Sequence, residues 1–469
     1  PVPASKIPEV VQRYRHRAAE WIDEWIRQAG GVRPEGWSEG DSTHFIAYQE
    51  LLAVADGVLS EEDARRSFRP VAEWVLKFLP TTQEETVTTS EGSRAVDRKT
   101  SILADLRFPT GAAEHQELEN LQKTGVRTEQ VGKALRPEVP LVLGRKGAGK
   151  TAFFRWLANA DKGNHLIIVS PSALRKDWQL SVDGFRAAGR QINESGISWP
   201  EFWAAYVCVA CHVQWPDVDE ADRLLPEEIR GAFKVRPHTE TELLQRIESA
   251  VSTPRGMLLI GEWLDRLDAA ATASSARLSP FLNASRASSG RLLLFDGLDT
   301  GFGNAEADRQ RRTRALEGLF AFLTDRGERL KTLQPKVFLR EDIWKGIRFE
   351  NKSHLFGRSV RLAWDDKSDY LSVALRQASL ASSFSEFLYE NGVPEYSQGE
   401  DAINRAWGLL VGERMKGGNT TFTTNWVWNR LSDAKDDRGP RALLQLFDAA
   451  TEKERELLRK TSYDRSIIR

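Results

Sequence analysis

Val139-Pro140-Leu141-Val142-Leu143-Gly144-Arg145-Lys146-Gly147-Ala148-Gly149-Lys150-Thr151 is the stretch whose reading decides the fold. A short apolar run leads into G-x-x-x-x-G-K-T, and Thr151 to Asn159 continues with helical character, Phe153, Phe154 and Leu157 supplying its buried side. Strand, glycine-rich loop and helix in that order make a cradle for phosphate. The glycines let successive backbone N–H groups curl round a β-phosphate, and the helix N-terminus favours negative charge. Lys150 is placed to reach β/γ oxygens and the Thr151 hydroxyl to take a position on Mg²⁺, so Gly144 to Ala152 is the expected binding segment for a nucleoside triphosphate.

Outward from the loop, four further apolar runs end in polar residues. Leu166-Ile167-Ile168-Val169 ends at Ser170-Pro171, Arg291-Leu292-Leu293-Leu294-Phe295 at Asp296, and Lys336-Val337-Phe338-Leu339 at Arg340, while Ser359-Val360-Arg361-Leu362 follows a loop. Short apolar runs separated by helical stretches are what a buried parallel sheet with crossover helices requires, so the expected class is α/β. Ligands in such sheets lie beyond the carboxyl ends of strands, which makes the residues just past each run the candidates for chemistry. Asp296 is expected to hold Mg²⁺ opposite Thr151, and Asp299, in Asp296-Gly297-Leu298-Asp299, to orient an attacking water.

Charge on a γ-phosphate calls for a planar, permanently charged guanidinium. Arg340 is placed to sense it from the same subunit, and Arg358, in Leu355-Phe356-Gly357-Arg358, to reach a neighbour's nucleotide. Arg441 follows Arg438-Gly439-Pro440 at the start of an apolar helix, Ala442 to Ala450, where the proline fixes the helix start and an arginine would couple that helix to the nucleotide. Each arginine is equally readable as a solvated residue at the end of an element.

Four regions are expected: a helical N-terminal region at 1–80, a polar linker at 81–101, a nucleotide-binding core at 102–368 and a helical lid at 369–469. The core carries a helical insertion at about 199–267, in which Trp199, Phe202, Trp203, Tyr206 and Trp215 read mainly as packing residues. A chain of 469 residues is too long for one ordinary core. The net charge of −1 excludes the wholesale basic excess of a dedicated nucleic-acid binder, although Arg309, Arg311, Arg312 and Arg314 cluster locally. Two cysteines argue for a reducing compartment. No long apolar run or leader pattern occurs, so a cytoplasmic protein without membrane partners is expected. The chain begins at Pro1, which leaves open a preceding effector domain. Cys208-Val209-Ala210-Cys211-His212 spells C-x-x-C-H, but in an apolar helical run without a second Cys/His pair it reads as buried structure rather than a haem or zinc site.

The ordered combination of Ala113-Glu114, GRKGAGKTAFFRWL, LLLFDGLDTGFG, KVFLREDIW, NKSHLFGRSVRLAW and RGPRALLQLFDAA resembles a family of bacterial P-loop ATPases, similar in turn to the STAND and AAA-like branches of that class. The resemblance spans roughly residues 102–450. It implies a core of five parallel strands, a C-terminal helical lid, and ATP with Mg²⁺ as cofactors. Lys150, Thr151, Asp296 and Asp299 are then the hydrolysis set, and Arg340, Arg358 and Arg441 sensors or fingers. It also implies ATP-dependent homo-oligomers and an effector partner in bacterial antiviral defence. One departure bears on turnover: Gly297 follows Asp296 and Thr300 follows Asp299, where many members of the wider class carry a carboxylate, so slow hydrolysis suited to a switch is expected. A DNA-loading or remodelling ATPase and a non-hydrolysing nucleotide-bound scaffold are the competing expectations.

Overall fold

Strands β1 (Leu141–Gly144), β2 (His165–Val169), β3 (Arg291–Phe295), β4 (Leu333–Arg340) and β5 (Ser359–Leu362) form one sheet in the order β2-β3-β4-β1-β5. Every pairing is parallel. The computed structural model describes residues 97–111, 113–160, 165–271, 290–393, 399–415, 421–433, 437–458 and 467–468, within a unit spanning Asp97–Arg469. The helices expected at 1–80 and most of the linker at 81–101 lie outside the described residues.

Both faces of the sheet are covered, which is why its strands read as nearly unbroken apolar runs. Leu141, Leu143, Leu166, Ile168, Leu293, Phe295, Val337 and Leu339 enter one core layer, whereas Val142, Leu292, Leu294, Phe338, Val360 and Leu362 enter the other. This is the two-residue period of a strand made visible in packing. Before β1 stand α1 (Leu118–Thr124) and α2 (Glu129–Ala134), and α3 (Lys150–Ala160) connects β1 to β2. Phe153, Phe154 and Leu157 of α3 are buried in the second layer, as their spacing predicts.

Between β2 and β3 run α4 (Val182–Ser195), α5 (Trp199–Gln214), α6 (Val218–Leu224), α7 (Glu227–Phe233), α8 (Glu240–Val251) and α9 (Pro254–Ala270). The helical insertion read from the sequence is therefore a bundle on the first face, centred on α5. Every residue of α5 from Phe202 to His212 is buried, the condition that an all-round apolar helix demands. Cys208 and Cys211 lie inside this packing, where burial raises both thiols well above their ordinary range, and His212 bonds Asp222 at 2.9 Å. The C-x-x-C-H string is buried structure.

After β3, α10 (Glu306–Asp325) returns the chain to β4, and α11 (Glu341–Gly346) and α12 (Lys352–Gly357) lead to β5. These connections pack on the first face together with the insertion, while α3 lies on the second. Right-handed crossovers require this division: β1 to β2 runs outward past two strands, and the later connections run back the other way. The connections diverge at the carboxyl end of β1, where an open parallel sheet leaves a crevice.

Pro335 sits within β4 at a position paired with β3 alone, because β1 begins only opposite Val337. The absent N–H at Pro335 thus costs no bond to β1. Lys336 is fully buried, and its ammonium donates to the carbonyls of Ala134, Arg136 and Val139 at 2.5–2.9 Å, tying the end of α2 to the sheet.

The C-terminal helices α13 (Lys367–Ala378), α14 (Ser382–Glu390), α15 (Glu400–Val411), α16 (Thr423–Arg430) and α17 (Pro440–Leu458) share a separate core. Ile102, Leu103, Leu106 and Phe108 belong to this cluster, and Lys99, 3% exposed, pairs with Glu454 at 2.6 Å. The end of the expected linker, 97–101, is helical, and by packing the 102–108 segment goes with the lid. Among the described residues no helix is long and apolar enough to cross a membrane.

Candidate functional site

Gly147 and Gly149 take φ of +85° and +100°, conformations in which a side chain is strained, and they bend the backbone between β1 and α3 into a loop. Lys150 opens α3, and its ammonium donates back to the Gly144 and Arg145 carbonyls at 2.9 and 2.8 Å, across that loop. Burial lowers its proton affinity, and Asp296 and Asp299 act in the opposite sense. Burial and the two carboxylates thus act in opposite senses on one ammonium, which sits at the mouth of the loop.

Asp296 follows β3 directly and is 4% exposed. Its backbone N–H donates to the Val169 carbonyl at 3.0 Å, fixing the strand end beside β2, and the Gly297 N–H and Thr151 hydroxyl beside its carboxylate favour the ionised form. Burial nevertheless pushes the carboxyl up to about 7, and Oδ2 is buried without a hydrogen-bond partner among the described residues. Buried acceptors are ordinarily satisfied, so an orphaned carboxylate oxygen beside a phosphate loop is suited to a cation. Gly297, at φ +76°, explains the missing carboxylate after Asp296: a Cβ there would lie 2.8 Å from Pro171 Cα and 2.9 Å from the Ser170 carbonyl oxygen. The turn past β3 admits only glycine.

Among the described residues no group of three or more His, Cys, Asp or Glu side chains could hold a metal ion. Mg²⁺ at a nucleotide does not need one, because it is commonly held by one or two protein oxygens with phosphates and water completing the octahedron. The Thr151 hydroxyl and the orphaned Asp296 oxygen fit that role.

Asp299 lies at the edge of the same crevice. Its carboxylate is 3.8 Å from Arg340 Nη1, while its main-chain carbonyl accepts from Arg312 at 3.1 Å. Arg340, the last residue of β4, is paired twice with Asp342, Nε to Oδ1 at 3.0 Å and Nη2 to Oδ2 at 2.6 Å. Arg312, on α10, is surrounded by Arg340 and Asp299, and burial depresses its proton affinity. Neither Asp342 nor Arg312 stands out in the sequence as a site residue. The basic cluster that contains Arg312 does not form one patch: Arg309 reaches Glu306, and Arg311 and Arg186 both pair with the buried Asp308.

A cavity of about 300 Å³ opens over the loop, lined by Lys146 to Phe153, Asp296, Gly297, Asp299 and Thr300. Its walls are completed by Glu114, Gln116, Leu121, Val126 and Val131 from the segment before β1, and by Trp364, Val373, Gln377, Arg441 and Leu444 from the C-terminal side. An elongated site results, with cations and N–H groups at one end and mostly apolar walls at the other. The Trp364 indole donates to the Ala148 carbonyl at 3.1 Å, and Gly439 lies against Gly147, where an added Cβ would meet the Gly147 carbonyl oxygen at 3.3 Å. Arg441, the second residue of α17, lines the cavity and makes no hydrogen bond or ion pair among the described residues.

Lys150, Thr151, Asp296, Asp299, Arg340 and Arg441 are thus brought to one end of the sheet. Arg358 is not. It precedes β5, whose Ser359 is in register with Leu141, so it lies at the amino end of the sheet, bonding the Glu138 carbonyl at 3.3 Å and Glu328 at 3.2 Å. Comparison of the chain with protein-family models, curated proteins and solved structures returns no match.

Proposed function

We propose that this chain binds ATP with Mg²⁺ in the cavity over the phosphate loop, hydrolyses it slowly, and uses the cycle as a conformational switch. The observation that carries the reading is the placement of the Thr151 hydroxyl beside the buried Asp296 carboxylate, next to a lysine that opens the same helix. Loop, lysine and hydroxyl come from one continuous segment and the carboxylate from the end of a strand far off in sequence, and they meet where a triphosphate, its metal and an attacking water would be needed. The loop N–H groups and Lys150 hold the phosphates. Thr151 and Asp296 would hold Mg²⁺, which when bound neutralises phosphate charge. Asp299, 3.8 Å from Arg340 at the edge of the crevice, orients water. Without a second carboxylate after Asp296 no strong base stands in the site, which supports slow turnover.

The lid side of the cavity supports a switch rather than a simple hydrolase. Arg441 enters from α17 with its guanidinium uncommitted, so nucleotide occupancy is felt directly by the C-terminal helices. The family resemblance of the motifs extends this reading to the P-loop ATPases of the STAND and AAA-like kind, to self-assembly, and to control of an effector protein in bacterial antiviral defence. DNA-dependent action has less support, because the arginines of α10 are divided among acidic partners and the site.

The test is phosphate release from ATP by wild type, Lys150→Ala and Asp296→Asn, together with the mass distribution with and without ATP. Slow release lost in both variants, with ATP-dependent assembly lost in Lys150→Ala, is expected. Equal release by all three proteins, or none with no ATP binding, would overturn the proposal.

A further inference from the structure

Arg145, the second residue of the phosphate loop, does not point its charge into the loop. It pairs with Asp433 and, through Nε at 3.1 Å, with Asp437. Asp437 is shared: its other oxygen pairs with Arg361 of β5, which in turn pairs with Glu341 at the start of α11. The two aspartates are themselves joined, the Asp437 N–H donating to Asp433 Oδ1 at 3.1 Å and the Asp433 N–H to the Asp437 carbonyl at 2.9 Å. Asp433 and Asp437 therefore hold the phosphate loop and the neighbouring strand at once.

Directly after Asp437 come Arg438, Gly439, Pro440 and Arg441. Arg438 donates to the Trp428 carbonyl at 2.8 Å and lies 3.5 Å over the Trp428 ring, anchoring this segment to α16. The Tyr370 hydroxyl reaches the Gly439 carbonyl at 3.4 Å. The position of Arg441 is thus set from two sides, by the C-terminal core behind it and by the ion pairs to the loop in front of it. Besides the close approach of Gly439 to Gly147, the ion pairs are what joins this segment to the loop.

We infer that Asp433 and Asp437 are positioning residues of the nucleotide site: their ion pairs with Arg145 and Arg361 hold the lid on the phosphate loop and keep Arg441 in the cavity. This rests on the reading of the cavity as a nucleotide site. Charge-assisted hydrogen bonds of this kind are worth more than neutral ones, but the partly exposed position of Arg145 limits them, so an effect of about threefold to tenfold is expected rather than a complete loss.

Dissociation of a fluorescent ATP analogue is measured by stopped flow for wild type, Asp433→Asn/Asp437→Asn, Arg145→Ala and the charge-conserving Arg145→Lys. Backbone hydrogen exchange of the first turns of α17 is followed in parallel without nucleotide. The neutralised double variant and Arg145→Ala are expected to release the analogue about threefold to tenfold faster and to exchange faster at residues 440–447. Raising the salt concentration accelerates wild type toward the variants and leaves them unchanged. Arg145→Lys, which keeps the charge, retains part of what Arg145→Ala loses. Unchanged dissociation and exchange in the double variant, or faster dissociation that is insensitive to salt and as fast in Arg145→Lys as in Arg145→Ala, would overturn the inference. If wild type and Lys150→Ala alike fail to bind the analogue, the nucleotide reading fails, and hydrogen exchange alone then decides whether these ion pairs fasten the lid.

Discussion

Arg340 and Asp342 are locked together by two hydrogen bonds, Nε to Oδ1 and Nη2 to Oδ2, at the end of the strand beside the phosphate loop. The pairing raises the proton affinity of Arg340 further and directs its fork toward Asp342, with Asp299 only a secondary partner 3.8 Å away. A γ-phosphate competing for this guanidinium must therefore displace a carboxylate. Asp342→Asn removes the competitor without changing its shape, and ATP should bind about threefold to tenfold more tightly. Arg340→Ala should weaken binding, and the double variant should match Arg340→Ala. Equilibrium titration decides this, and unaltered affinity in both single variants would remove Arg340 from the nucleotide site.

The buried Asp296 carboxyl gives a second prediction, with a defined sign. Its folded value of about 7 stands above the ordinary 3.8, so between those limits the folded protein retains a proton that the unfolded chain has released. The nucleotide-free protein accordingly loses stability as pH rises through that window. Asp296→Asn removes the titration. At pH 8 it should stabilise the nucleotide-free protein by about 1–3 kcal/mol, and at pH 4 by little, while phosphate release is abolished. Denaturant unfolding at the two pH values checks the sign. An equal loss of stability at both would mean that Asp296 contributes as a hydrogen-bonded carboxylate rather than as a desolvated one.

The strands and the loop are legible in the sequence because both faces of the sheet are buried, so that β1 and the Leu292–Phe295 part of β3 appear as uninterrupted apolar runs, while β5 at the edge alternates. Asp296 is legible for the same reason, as the polar residue that ends a wholly buried strand. The ion pairs of Asp437 are not legible: Arg145, Arg361 and Asp437 lie far apart in sequence, and no local period marks residues that meet only through topology. Arg312 is hidden differently. Among four closely spaced arginines at the start of α10 the helical period alone does not tell which one turns toward Asp299, and the structure selects it by the 3.1 Å bond to the Asp299 carbonyl. The segment at 97–101 reads as linker because its polar composition conceals Lys99, whose partner Glu454 stands at the far end of the chain.

Arg312 touches the Asp299 main chain rather than its carboxylate, so its influence passes through the position of that turn. Phosphate release in Arg312→Ala should fall about tenfold, while ATP affinity stays within about twofold, because the binding loop is untouched. Arg312→Lys should recover only part of the rate, since an ammonium lacks the planar fork. A parallel fall in affinity and turnover would show instead that Arg312 contacts the nucleotide itself.

Arg358 stands at the amino end of the sheet, and the loop it is expected to serve lies beyond the carboxyl end. Within one chain it therefore cannot approach the phosphates while β5 keeps its register. Any action on ATP must come from a neighbouring subunit, and this makes its effect depend on concentration. Arg358→Ala should bind ATP like wild type and match its low hydrolysis rate when dilute. At concentrations where wild type assembles and accelerates, the variant should stay slow by about tenfold or more, as loss of an arginine finger does. Mixing Arg358→Ala with Lys150→Ala should restore turnover in part, because each supplies what the other lacks across the shared contact. A rate deficit that is the same at every protein concentration would place the role of Arg358 in its bonds to Glu138 and Glu328 within the chain.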